Sequence, residues 1–223
     1  MSNSRLAAGR EQLDEYRRQQ TEMARRVTEV PLQAEPKVIA AVDVHLRDDR
    51  GVAVAVAVSY PDLETIEEQV ARADITFPYI PGFLSFREAP LCLAALKSLQ
   101  HQPDLILVDG QGRAHPRRFG IGCHVGVELE IPTVAVAKSI LSGRFESLGN
   151  ERGSAAPLVT RGEVVGMAVR TRSGVSPVYV SVGNLITLEE AVTWTLNAVH
   201  KVRLPEPSRQ AHRAAHQLAR ELA

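Results

Sequence analysis

The chain has 223 residues, 44% of them apolar and 23% charged, which suits one domain with a full hydrophobic core. Lys+Arg and Asp+Glu both number 26, which excludes a polycation that grips nucleic acid by bulk charge and leaves only a local basic surface for that purpose. Two cysteines outside any CxxC pair, Cys92 and Cys123, exclude a disulfide framework and a cysteine zinc site. The polar stretch Met1 to Gln12 and the lack of a long apolar run predict a cytoplasmic protein with no membrane partner.

The chain is read as one domain over 1–223, with terminal helices at 5–27 and 205–223. Arg5 to Val27 predicts a charged helix with a sparse apolar stripe. Val38 to Leu46 and Val52 to Ser59 predict two strands joined by hairpin chemistry at Asp48-Asp49-Arg50-Gly51. A third strand falls within Glu64 to Phe77. Pro78-Tyr79-Ile80-Pro81-Gly82 is a stiff turn, and the next helix is expected from Glu88 to Leu99, with Pro90 in its first turn.

Leu105 to Val108 is a short buried strand ending at Asp109-Gly110. A glycine-rich loop leads to a helix reaching Glu130, and Thr133 to Ala137 is another strand. The Gly/Arg stretch at 143–153 is read as an exposed loop. Pro157 to Thr171 and Val178 to Val182 predict further strands. Thr187 and Glu190 form a capping box for a helix to His200, and a last helix is expected from Ser208 to Leu222. Antiparallel strands followed by alternating strands and helices imply an α/β class with a mixed sheet and helices on both faces.

Asp43 carries the most information. It sits in the apolar strand VIAAVDVHL, on one pleat face with Ile39, Ala41 and His45. A bare carboxylate on a buried strand is costly, so it is normally paired or bound to a metal. Asp109 ends the apolar run LILV, and Glu88 begins an apolar helix beside Arg87. Each also has an ordinary reading: Asp-Gly closes strands, and first-turn acids complement helix dipoles. Two strand-borne Asp and a helix-borne Glu form the oxygen cluster that Mg²⁺ takes, and such ions clamp the two oxygens of a phosphodiester displacement. Gly110 to His115 has two glycines of a dinucleotide fingerprint, but Pro116 blocks the helix that reading requires.

Several phrases together resemble the endonuclease V family: AAVDVHL at 40–46, FPYIPGFLSFREAP at 77–90, LILVDGQGRAHPRRFGIGCHVGVELEIPTVAVAKS at 105–139 and RLPEPSRQAH at 203–212. The likeness spans roughly residues 5 to 220. Cys123 and Ala135 depart from it, small residue for small residue.

This resemblance implies a ribonuclease H-like fold and hydrolysis of the second phosphodiester 3′ to a deoxyinosine, with the lesion left in the nicked strand. It implies Asp43, Glu88 and Asp109 as metal and catalytic carboxylates, with Mg²⁺ as the ion and Mn²⁺ as a substitute. His212 and Lys138 complete the expected catalytic set. Tyr79 matches a wedge residue, and its stiff proline-flanked backbone suits an aromatic that replaces a lost stacking partner.

His115 is implied near the scissile phosphate. Arg87, Arg117 and Lys138, with Arg113 and Arg118, are expected to give the local basic surface for DNA. Gly82, Leu84, Gly110 and Ile121 are expected to line a lesion pocket in which main chain approaches the base. His212 and His216 have a spacing that also suits a metal pair, but only His212 lies in a matched phrase. His45, His101, His124 and His200 are read as surface or structural.

The expected partner is DNA containing deaminated bases, bound by a monomer. Two other readings stand beside it: a nuclease for inosine-containing RNA, and a non-catalytic nucleic-acid-binding module of the same fold. The module has no use for the three acids.

Overall fold

The computed structural model describes residues 9–221. Eight strands form one sheet in the order β3-β2-β1-β4-β5-β8-β7-β6. They are β1 (Val38–Arg47), β2 (Arg50–Ser59), β3 (Thr65–Asp74), β4 (Leu105–Asp109), β5 (Thr133–Ala137), β6 (Ala155–Thr160), β7 (Glu163–Val169) and β8 (Val178–Asn184). β1, β4 and β5 run parallel and the other neighbours pair antiparallel, so the sheet is mixed as the element order implied.

The five helices are α1 (Arg10–Ala24), α2 (Leu84–Lys97), α3 (Ile121–Leu129), α4 (Leu188–Asn197) and α5 (Glu206–Ala219). α4 and α5 pack on one face and α2 and α3 on the other. The alternation in β2 explains the division. Val52, Val54, Val56 and Val58 point to the α5 face, while Ala53, Ala55 and Ala57 point to the α2 face. Ala211, Ala215 and Ala219 form the stripe of α5 that packs onto the sheet.

Several boundaries differ from the sequence reading or lie outside the described residues. α1 begins at Arg10, and the expected start at Arg5 lies outside the described residues, as does Leu222 at the other end. α2 begins at Leu84 rather than Glu88, which leaves Pro90 inside the helix and Glu88 in its second turn. The helix starts directly after the proline turn, where Phe83 occupies the N-cap position and is buried. Pro157 to Thr171 is not one strand but the β6–β7 hairpin, turning at Arg161-Gly162, where both residues take positive φ. The capping box at Thr187 forms as expected.

α1 has a clear structural task. Tyr16 packs edge-on against Phe77 with ring centroids 4.9 Å apart, and lies equally close to Phe86. Gln20, fully buried, donates through Nε2 to the carbonyls of Gly82 at 3.1 Å and Phe119 at 3.3 Å. The helix therefore clamps the proline turn to the start of α3.

Candidate active site

The register of β1 and β4 creates the site. Their parallel pairing ends at Val42 and Val108, and the next residues are Asp43 and Asp109. Both fall on the α5 face, since Ile39, Ala41, Leu105 and Leu107 face that core. Two carboxylates thus stand side by side where the ladder stops. Their neighbours are supplied by α5, by α2 and by the end of β5.

His212 of α5 places Nδ1 2.6 Å from an Asp43 carboxylate oxygen. Lys138, one residue beyond β5, pairs its Nζ with Asp109. Glu88 on α2 completes the acidic group. Burial first, then the charge of Asp43, pushes its carboxyl up to about 7, against the opposing pull of Arg87. Asp109 is also raised, by burial and then by Asp43, with Lys138 opposing. Among the described residues, no hydrogen bond reaches the Glu88 carboxylate. Three acids with one lysine between them make an under-compensated oxygen cluster, and a hard divalent cation fits such a donor set.

The other side of Asp109 opens into a cleft of about 400 Å³. Gly82, Leu84, Gly110 and Ile121, the four expected pocket residues, all line it, together with Tyr79, His115 and Lys138. Gly82 has φ +82° and Gly110 φ +139°, so both glycines hold backbone shapes that side chains resist. A Cβ on Gly110 would stand 2.6 Å from Ile121 Cγ2. Tyr79 is 70% exposed on the cleft rim, unlike the half-buried Phe77 and Phe86 behind it.

Two polar atoms on this lining were invisible in the sequence. Ser85 Oγ and Gln111 Oε1 are buried without a hydrogen-bond partner. Only the backbone path of α2 and of the Gly110 loop brings them there.

The basic residues behave differently from the expectation of a free phosphate-binding surface. Arg117 donates to Gln20 and, at 2.5 Å, to the Gly82 carbonyl, and its guanidinium lies 4.5 Å over the Phe83 ring. His115 is buried with Nε2 3.2 Å from the same carbonyl. Burial and then Arg117 push its pKa down to about 4, so it is neutral at physiological pH. Both residues brace the turn that carries Tyr79.

Arg113 pairs with Glu29 and Glu163, and Arg118 with Glu163. Arg87 donates to the Phe77 carbonyl and lines a separate groove with Asp74 and Ile75. Lys138 is the cation that lies directly on the cleft.

His45, read as surface or structural, instead belongs to this centre. Its ring lies 5.6 Å from that of His212 and 5.0 Å from that of His216. The pleat already placed it on the Asp43 face, two residues along. What no local pattern could show was that α5 crosses there.

The comparisons with known proteins point to one family. The family model described as Endonuclease V matches residues 21–213. The chain belongs to the endonuclease V family. It is 53% identical over 179 residues to endonuclease V of Gloeobacter violaceus, covering 78% of this chain and 73% of that protein. The crystal structure of endonuclease V from Streptomyces avermitilis superposes with a TM-score of 0.89 at 42% identity, covering 94% of this chain and 93% of that one. Endonuclease V of Ciona intestinalis, solved in complex with a 24mer DNA containing an inosine followed by a ribo-adenosine, superposes with a TM-score of 0.83 at 25% identity. That alignment covers 96% of this chain and all of the other. The fold is thereby the ribonuclease H-like fold of the endonuclease V family, and none of the helices among the described residues is long and apolar enough to cross a membrane.

Proposed function

We propose that this protein is a DNA repair endonuclease that hydrolyses the second phosphodiester 3′ to a deoxyinosine and leaves the lesion in the nicked strand. The observation that carries this is the pair Asp43 and Asp109 at adjacent strand ends, with Glu88 beside them, directly against the cleft lined by Gly82 and Gly110. The inosine-containing DNA held by the Ciona relative supports the substrate.

In this reading Asp43, Asp109 and Glu88 hold Mg²⁺, or Mn²⁺ in its place. A bound divalent ion supplies charge neutralisation at the scissile phosphate and a more acidic water. The chain's residues do the rest. Asp43 accepts the Nδ1–H of His212 and so leaves the Nε2 lone pair free to take a proton. Lys138 presents an ammonium to the phosphate from the Asp109 side. Glu88, with its pKa near neutrality, can hold or release a proton without leaving the cluster.

Tyr79 enters the space left when the base is extruded, a step that costs a few kcal/mol and least at a damaged pair. The hypoxanthine then lies in the cleft against main chain at Gly82, Gly110 and Ile121. A backbone N–H there donates to its 6-oxygen, whereas adenine brings a second donor to the same point and leaves two buried groups unpaired. Because Arg87 and Arg117 are engaged within the fold, a role for them in DNA binding runs through the turn they brace.

The test is incubation of the purified protein with Mg²⁺ and a duplex carrying one deoxyinosine, beside an undamaged duplex and an inosine-containing RNA of the same sequence. The expected result is a single nick at the second phosphodiester 3′ to the lesion in DNA. A chain that leaves the deoxyinosine duplex intact refutes the assignment, and faster cleavage of the RNA would move the substrate to RNA.

A further inference from the structure

The acidic centre is not built of oxygen alone. One ligand-capable atom from each of Asp43, His45 and His212 lies within 4.8 Å of the others. Asp43 and His45 are two residues apart on β1 and share its α5 face, and His212 is brought over them by α5. His216, one helical turn further on, is exposed and edge-on to His45 at 5.0 Å. His45 Nδ1 is buried and has no hydrogen-bond partner. Three imidazoles and a carboxylate thus converge at one edge of the oxygen cluster.

We infer that Asp43, His45 and His212, with His216 as a fourth ligand, form a site for a borderline-soft divalent cation of the zinc kind, distinct in its nitrogen donors from the oxygen site of Asp43, Glu88 and Asp109. Imidazole nitrogen favours Zn²⁺, Ni²⁺ and Co²⁺ over Mg²⁺, which prefers oxygen and sheds its waters reluctantly. Ligands about 2.1 Å from a tetrahedral zinc stand about 3.4 Å apart. The three atoms are already inside 4.8 Å and one pair is at 2.6 Å, so side-chain rotation closes the site without moving the sheet. His216, being exposed, has the freedom to swing in as the fourth ligand.

The two sites share Asp43, so filling both requires its carboxylate to bridge the ions. Zinc at the histidine site also occupies His212. It therefore antagonises Mg²⁺-supported nicking, a consequence that rests on the proposed function, whereas the site itself rests on the geometry alone.

Zn²⁺ titration into the metal-free protein by calorimetry, in excess Mg²⁺ and without nucleic acid, tests the site. Co²⁺ serves as a second probe, read by the visible absorption of a nitrogen-bound four-coordinate ion. The expected result is one Zn²⁺ per chain, with affinity reduced about tenfold or more in His45→Gln and in His216→Gln. The exposed His216 guards against a variant that merely fails to fold. Zinc uptake that is absent in the wild type, or undiminished in both variants, overturns the site. In the nicking assay His216→Gln should cleave normally with Mg²⁺ and resist Zn²⁺ by the same factor as its loss of affinity. Inhibition of His216→Gln at unchanged Zn²⁺ concentration overturns the antagonism. Calorimetry needs no substrate, so its result stands even if the chain nicks nothing.

Discussion

His212 Nδ1 lies 2.6 Å from the Asp43 carboxylate, although 169 positions separate the two residues. This contact ties the last helix to the first strand at the point where the β1–β4 ladder ends. Replacing either member should remove much of what the other contributes. Asp43→Asn and Asp109→Asn should each lower Mg²⁺-supported nicking by orders of magnitude, while lesion binding in Ca²⁺ survives in part. His212→Gln should cost less than Asp43→Asn, and the double variant should be little worse than Asp43→Asn alone, because the pair acts as a unit. Single-turnover rates on one deoxyinosine duplex measure this. Near-normal nicking by Asp43→Asn would remove it from the catalytic set.

Tyr79 offers its ring to solvent from a turn held by prolines and by Arg117. Tyr79→Ala should weaken binding to a deoxyinosine duplex by about 1–3 kcal/mol, the worth of a base–aromatic stack. The loss should shrink on single-stranded substrate, where no stacked pair has to be opened. Equal losses on both would mean that the ring only supports the fold.

The Gly82 carbonyl receives Gln20, Arg117 and His115 together, so the pocket wall is held from three directions. Gly82→Val should abolish nicking of hypoxanthine duplexes, because φ is +82° and the new Cβ would meet Arg117 Nη2 at 2.9 Å. Leu84→Ala should change affinity more than base preference. Gln20→Leu, which strips the turn of one donor and strands Arg117, should destabilise the protein by about 1–3 kcal/mol and slow nicking without touching the cleft. Rates on hypoxanthine, xanthine, uracil and adenine duplexes separate these outcomes. Wild-type speed in Gly82→Val would defeat the backbone account of the pocket.

His115 and Glu88 pull stability in opposite directions as pH changes. His115 is held near 4 when folded and titrates near 6.5 when unfolded, so the unfolded chain binds the extra proton between those values. Its contribution is present above about pH 6.5 and is lost as pH falls toward 4, on the order of 3 kcal/mol in all. Glu88 is raised to about 7, so its ionised form is penalised when folded, and stability attributable to it is lost as pH rises from about 4.5 through 7. Denaturant melts without divalent cations should show His115→Gln gaining on the wild type as pH drops from 7 to 5. Glu88→Gln should gain on the wild type as pH rises from 5 to 7. Parallel profiles for either variant would show that its group titrates at an ordinary pKa.

What the sequence determined by itself was everything set by local repetition. An apolar run marked β1 and Val/Ala alternation marked β2, the Thr187–Glu190 spacing marked the start of α4, and Asp43 was conspicuous because a charge broke an apolar strand. The phrases around Tyr79, Glu88, Asp109 and His212 also identify the family without reference to any contact. Tertiary structure decided which of those residues meet. Asp43 and Asp109 are neighbours only because β1 and β4 pair in parallel with Val42 opposite Val108. His45 joined the centre only because α5 crosses that end of the sheet. Arg113 and Arg118 are not free because Glu163, on the β6–β7 hairpin, comes back to pair with both. Periodicity is a property of neighbours in the chain, whereas pairing of charges depends on sheet order and helix crossing, which bring together residues that no local window contains.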